Sequence, residues 1–298
     1  MSAEERWALV GGDIITPLRH ISDGVVAGTG EVIDYVGPRP AGDRLAGCVV
    51  RDVTGHIVAP GFVDIHVHGG YGADFMDGAL EAFATVCTCH ARGGTTALVP
   101  TTVAAPVETI LATLELVAEA QRTRFQGARV LGCHVEGPWF ASDRKGAHDR
   151  VWNPRDEEIA LLLPWSLTIR RLTLAPELPG AAEAVRAFSE AGVLVCAGHT
   201  NATYQEMLAA MELGLSHVTH LWNQTSLVTK QGPYRRGGCV EAALLEDGLT
   251  VELIADGHHL PPELMRLAVK CKGVDRVCLV TDAMRGAGMP EGTRWTVG

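Results

Sequence analysis

The stretch Gly61-Phe62-Val63-Asp64-Ile65-His66-Val67-His68-Gly69-Gly70 decides the reading of this chain. A short apolar, β-branched run closed by a glycine pair predicts a buried strand. Side chains alternate faces along a strand, so His66 and His68 point the same way. Two imidazoles on one face at a strand's end suit a shared metal ion. The fold then depends on whether other strands end in matching ligands.

Upstream lie short strands punctuated by glycine: Trp7–Val10, Gly24–Ala27, Val32–Val36 and Val49–Val53. Their close spacing predicts a small β-sandwich-type domain over residues 1–59. Ala59-Pro60-Gly61 breaks that pattern. Downstream, strand candidates at Phe62–His68, Thr95–Val99, Arg129–Glu136, Thr168–Ala175, Val193–His199, His217–Leu221, Thr250–Ala255 and Arg276–Asp282 alternate with amphipathic stretches. Those stretches lie near 80–92, 106–122, 156–163, 181–191, 203–213, 240–247 and 262–271. The alternation predicts an α/β fold, a (β/α)8 TIM-like barrel over residues 60–298. A doubly wound open sheet would want a glycine-rich phosphate loop after its first strand, and Gly69-Gly70-Tyr71-Gly72 does not fit that fingerprint.

Composition bounds the function. The 298 residues are 47% hydrophobic and 20% charged, enough for one large domain and a small one. A formal net charge of −10 without a basic run argues against nucleic acid or an anionic membrane as partner. A small anionic substrate stays open, because a few local cations suffice to hold it. Cysteines at 48, 87, 89, 133, 196, 239, 271 and 278, with no signal-peptide pattern, predict a reduced, cytoplasmic setting. No apolar run approaches the ~20 residues that span a bilayer. Twelve histidines against four tyrosines make the histidine positions worth following.

The polar residues collect where predicted strands stop, which is where barrel enzymes carry their chemistry. His66, His68, Glu136, His199, His220 and Asp282 are therefore expected to converge on one mouth. Nitrogen and carboxylate ligands suit zinc or a similar divalent ion that activates water. Each residue also has a plainer role: a polar strand end for the HxH pair, a turn residue for Glu136, a helix cap for His199, an N-cap for Asp282. The joint pattern carries the metal reading. His134, His217 and His258 are read as hydrogen-bonded histidines beside the site or on the surface. Cys87 and Cys89, near His90, are read as structural thiols, since residues two apart on a helix face apart.

Several stretches together resemble the N-acetylglucosamine-6-phosphate deacetylase family of the amidohydrolase superfamily. They are Ala59–Asp64, His134-Val135-Glu136-Gly137-Pro138-Trp139, Lys145-Gly146-Ala147-His148, Leu174–Glu177 and Ala197–Thr203. They continue with Thr219-His220-Leu221-Trp222-Asn223, Ile254–His259 and Leu279–Ala283, in the family's order and over nearly the whole chain. The resemblance implies a metal-dependent hydrolase that removes the acetyl group of N-acetyl-D-glucosamine 6-phosphate in amino-sugar catabolism. It implies that Glu136, His199 and His220 hold the main divalent ion, zinc first, with iron or another ion as the alternative. Asp282 is implied as the catalytic acid/base, and the retained His66 and His68 make a second ion possible. Sugar and phosphate contacts are implied for His148, Asn223, Arg235 and His259, with Arg236 or Lys230 as alternatives to Arg235. That arginine can reach a neighbouring subunit's site in the family, which implies a homodimer.

Two departures bear on the substrate. Gln224-Thr225-Ser226 stands where the family usually has Ala-Met, which puts Gln224 against the sugar phosphate. N-acetylgalactosamine 6-phosphate, or the substrate of another amidohydrolase, is the alternative. The sequence stops at Gly298, shortly after the eighth predicted strand, so the small domain is expected to lack its C-terminal half. A metal-binding but inactive homologue is the second alternative.

Overall fold

The computed structural model describes residues 5–295. It divides into two compact units, one running through Gly61 and the other beginning at Phe62. In the first, the Arg6–Ile15 strand is central: it pairs antiparallel with His20–Thr29 and parallel with Val49–Asp52 and Ile57–Val58. Val32–Pro38 extends the sheet beyond His20–Thr29. Small clusters around Ala8, Val10, Val25 and Ala27, and around Ile14, Ile21 and Val26, hold it together. Among the described residues this unit is one sheet rather than a stacked pair.

The second unit alternates parallel strands with helices. Its strands are Phe62–Val67, Thr95–Pro100, Arg129–Val130 continuing into Cys133–Glu136, Ile169–Leu174, Leu194–Ala197, His217–Val218, Thr250–Ile254 and Val277–Val280. Parallel pairing joins the first to the third, and separately the third to the eighth in chain order. Two parallel bridges complete the circuit: Thr101 with His134, and Val67 with Ala283 at the seam between eighth and first strands. There the Asp282 amide donates to the His66 carbonyl at 2.9 Å, and the His68 amide donates to Ala283 at 2.8 Å. The arrangement is barrel-type, as a βα alternation dictates.

Alternation along the strands sorts core from site. Val67, Cys133, Val135, Leu172, Leu174, Val251 and Leu253 point outward into the hydrophobic core shared with the helices. Their neighbours His66, His134, Glu136, Arg171, Thr173 and Glu252 are equally buried but polar. A period of two therefore puts every second side chain inside the barrel. The helices that follow the first seven strands are Leu80–Arg92, Val107–Ala120, Asp156–Leu162, Ala181–Glu190, Tyr204–Glu212, Cys239–Leu245 and Pro262–Lys272. After the fifth strand it is Thr203, not His199, that caps the helix. The Glu206 amide donates to Thr203 Oγ1 at 3.3 Å, and the Thr203 amide donates to Glu206 Oε2 at 2.7 Å.

Candidate metal centre

Six of the strand-end residues meet at the mouth. Glu136 is the hub, and its two oxygens face different partners. Oε1 lies 3.4 Å from His66 Nε2, 3.3 Å from His199 Nε2 and 3.2 Å from His220 Nε2. Oε2 lies 3.2 Å from His68 Nε2 and 3.6 Å from His148 Nε2. Asp282 Oδ1 sits 3.3 Å from His66 Nε2 and 3.2 Å from His68 Nε2. The ligand atoms fall into two groups, Glu136 with His199 and His220, and His66 with His68 and Asp282, each within 4.8 Å of one another.

The residues fit a divalent cation. Ring nitrogens and carboxylate oxygens are the donor set of such ions. His66 Nε2 is buried and finds no hydrogen-bond partner among the described residues, although Glu136 and Asp282 oxygens are close by. His199 Nδ1–H donates to the Arg144 carbonyl at 2.8 Å, which leaves Nε2 bare and aimed at Glu136. His220 Nε2 and His199 Nε2 approach to 3.1 Å, both beside Glu136 Oε1, a grouping that one shared cation fits.

The electrostatics point the same way. Burial raises the Glu136 pKa, but the surrounding histidines, His66 foremost, reverse this and hold the carboxyl well below its ordinary range. Asp282 is lowered for the same reason: burial raises it, and His66 and His68 more than compensate. His68 is pushed up to about 9, because its bonds to Asp282 and Glu136 outweigh its burial. The site stabilises positive charge. At His199 and His148 burial wins instead: it lowers the His199 pKa and, only partly offset by Glu136, drives that of His148 down to about 3. The Ala104 amide donates to His148 Nδ1 at 3.0 Å, so a neutral ring carries its hydrogen on Nε2, facing the site.

Backbone geometry at the mouth is unusual too. His199, His220 and Asp282 adopt positive φ values of 49°, 29° and 48°. Such conformations cost of order 1–3 kcal/mol each in a non-glycine residue and persist where surroundings enforce them. The Asp282–His66 bond described above does so, as does the Ala141 amide donating to the His199 carbonyl at 3.0 Å.

A cavity of about 340 Å³ opens over the cluster, the size of a small-ligand site. His68, Glu136, His148, His199, His220 and Asp282 form its floor, and Asn223, Gln224 and His259 lie on its wall. His259 is held by Asp256, which accepts its Nδ1–H at 2.8 Å. Arg235 is not among the lining residues. It sits on an exposed hairpin, Thr229–Gln231 with Tyr234–Arg236, paired with Lys230, and lines a separate cavity with Tyr204, Arg236 and Glu241. His134 is buried next to His66 and bonded at both nitrogens, to Thr101 at 3.2 Å and Thr173 at 2.7 Å. His217 is bonded to Thr250 at 2.6 Å, and His258 is exposed. Cys87 is packed in the core, whereas Cys89 meets the Ala287 carbonyl, so the two thiols share no site.

Two site residues were not singled out by the sequence: Glu252 and Arg171, a bonded pair beneath the cluster. The only sequence signal is parity. Each is a charged residue at a buried, inward position of its strand.

Residues 57–289 match the Amidohydrolase family. The chain belongs to that family. Among its amidohydrolase relatives, an N-acetylglucosamine-6-phosphate deacetylase of Vibrio furnissii is 39% identical over 80% of this chain and 59% of its own length. An N-acetylgalactosamine-6-phosphate deacetylase of Escherichia coli is 38% identical over 93% of this chain and 69% of its own length. The chain thus spans well under the full length of these relatives. The solved structure of a Mycobacterium smegmatis N-acetyl-D-glucosamine-6-phosphate deacetylase variant in complex with N-acetyl-D-glucosamine-6-phosphate superposes with a TM-score of 0.87. That match has 30% identity and covers 98% of this chain and 74% of the other.

Proposed function

We propose that this amidohydrolase removes the acetyl group from N-acetyl-D-glucosamine 6-phosphate, giving glucosamine 6-phosphate and acetate, as a step of amino-sugar catabolism. The observation that carries the reading is Glu136, which lies between two ligand groups, its Oε1 facing His199, His220 and His66 and its Oε2 facing His68, while Asp282 faces the same cavity. Glu136, His199 and His220 are proposed to hold one divalent ion, zinc first and iron as the alternative, and His66 with His68 a second. An ion held there polarises the amide carbonyl and acidifies water.

The remaining chemistry belongs to side chains. Asp282, ionised because the histidines lower its pKa, takes a proton from the attacking water. It returns that proton to the departing nitrogen, so that an amine and not an amide anion leaves. His148 presents its Nε2–H to the oxygen on which negative charge develops. Its depressed pKa keeps it a neutral donor that does not repel a cation nearby. Asn223, Gln224 and His259 form the sugar side of the cavity. Arg235, exposed on its hairpin, is proposed to hold the phosphate of a substrate bound in a partner subunit, which makes the working unit a homodimer. No described helix is long and apolar enough to cross a membrane, and the cysteines are unpaired, which supports a reduced, cytoplasmic setting.

The galactose epimer is the second reading, favoured by the E. coli relative and by Gln224 on the cavity wall. Acetate release from both epimers, measured on protein of known metal content, separates the readings. Faster turnover of the glucose epimer supports the first and faster turnover of the galactose epimer the second. Bound metal without turnover of either sugar overturns both.

A further inference from the structure

Below the mouth lies a charged pair that the chemistry above leaves unused. Glu252 and Arg171 are 0% and 2% exposed and bonded to each other. The two oxygens of Glu252 have different partners. Oε1 faces Arg171 Nη1, with His217 Nε2 at 3.4 Å. Oε2 accepts the ring Nδ1–H of His66 at 3.1 Å and the backbone N–H of His220 at 3.0 Å. Arg171 is itself fixed: it donates to the Ile65 carbonyl at 3.0 Å and to Thr219 Oγ1 at 3.1 Å. A planar guanidinium pinned at several points dictates which carboxylate oxygen turns toward it and which is left for His66.

Resting on the two-ion reading above, we propose that Glu252 is a positioning residue for the His66–His68 metal site. It keeps the His66 hydrogen on Nδ1, so that the buried Nε2 is bare and free to ligate. An imidazole with its hydrogen on Nε2 cannot bind an ion through that atom. Arg171 supplies the polarity of the arrangement. With a glutamine at 252, Arg171 and the His220 amide compete for the one amide oxygen, and the charged Arg171 is the stronger donor; the NH₂ then turns to His66, which accepts at Nδ1 and carries its hydrogen on the wrong nitrogen.

The test uses the full chain loaded with zinc chloride, with ions per chain counted by elemental analysis and affinities read by competition with a chromophoric chelator. A lone substitution leaves a buried charge unpaired and threatens folding, so the decisive pair is Arg171→Met/Glu252→Gln against Arg171→Met/Glu252→Leu. Both remove the buried charges, but only the first keeps an acceptor for His66. Wild type and the Gln double variant are expected to bind two ions alike. The Leu double variant is expected to bind the second ion about 10–100-fold more weakly, with the first unchanged. Glu252→Gln alone, where it folds, is expected to lose the second ion, and adding Arg171→Met to restore it, a reversal that damaged packing does not produce. Equal second-ion affinity in the two double variants overturns the role of Glu252. A wild-type chain that takes up only one ion overturns the two-ion reading itself, and this assignment with it.

Discussion

The mouth of the barrel and the layer beneath it are built from the same kinds of residue and follow opposite rules. The third strand shows this within two positions. Glu136 faces four histidine nitrogens within 3.2–3.4 Å, while His134, on the same face but one step deeper, satisfies both its nitrogens with threonine hydroxyls. Thr173 and Thr219 continue that closed network at 2.8 Å. Positive φ occurs at His199, His220 and Asp282 in the mouth and at none of His134, Arg171, Thr173, His217 or Glu252 below. Buried polar groups that bond one another rigidify a scaffold. Arg171 Nε and His217 Nε2 below also lack a hydrogen-bond partner among the described residues, so it is close approach combined with positive φ that marks the mouth as the place where a ligand completes the set.

Substitutions in the two layers should therefore fail differently. The largest effect is expected for Asp282→Asn, because in the proposed mechanism one side chain performs both proton transfers. Turnover should fall about 10⁴-fold, ~5 kcal/mol of transition-state stabilisation, with metal content and unfolding midpoint near wild type. Near-normal turnover in that variant would remove Asp282 from the mechanism. Arg171→Met, one layer down, should strike stability instead. It strands Glu252 at 0% exposure, a loss of about 3–5 kcal/mol in denaturant unfolding. A loss under ~1 kcal/mol would mean that the pair contributes little to the scaffold. His148→Phe keeps a ring of similar shape but no N–H, and kcat is expected to drop about 10²–10³-fold with KM little changed. A change confined to KM would make His148 a binding residue only.

The same contrast explains what could be read from the sequence. Strand-end histidines and carboxylates are local signals: a two-residue period and a following turn place them without knowledge of distant partners. The helices were legible through their amphipathic spacing. The third strand was expected to be continuous but breaks at Gly132, whose φ of 147° a longer side chain rarely adopts. The hairpin carrying Arg235 was invisible because both of its strands are exposed and carry no apolar alternation around the Gly232-Pro233 turn. Arg171 and Glu252 lie 81 residues apart, and nothing in either strand names the other. A pairing of that kind is settled by barrel geometry, which brings the fourth and seventh strands' inward positions together. The mouth was therefore readable residue by residue, and its foundation was not.

His66 belongs to both layers and gives the finest test of where one ends. Its Nε2 faces Glu136 and Asp282, while its Nδ1 is bonded to Glu252. His66→Asn removes a ligand from the second group and a donor from the layer beneath. If Glu136, His199 and His220 suffice for the main ion, the variant should retain one ion per chain and turnover within about tenfold of wild type. Removing one donor to a buried carboxylate should lower stability by about 1.5–3 kcal/mol. Loss of both ions would show that the opening strand builds the main site. An unchanged unfolding midpoint with one ion lost would place His66 wholly in the mouth, with Glu252 held by Arg171 and the His220 amide alone.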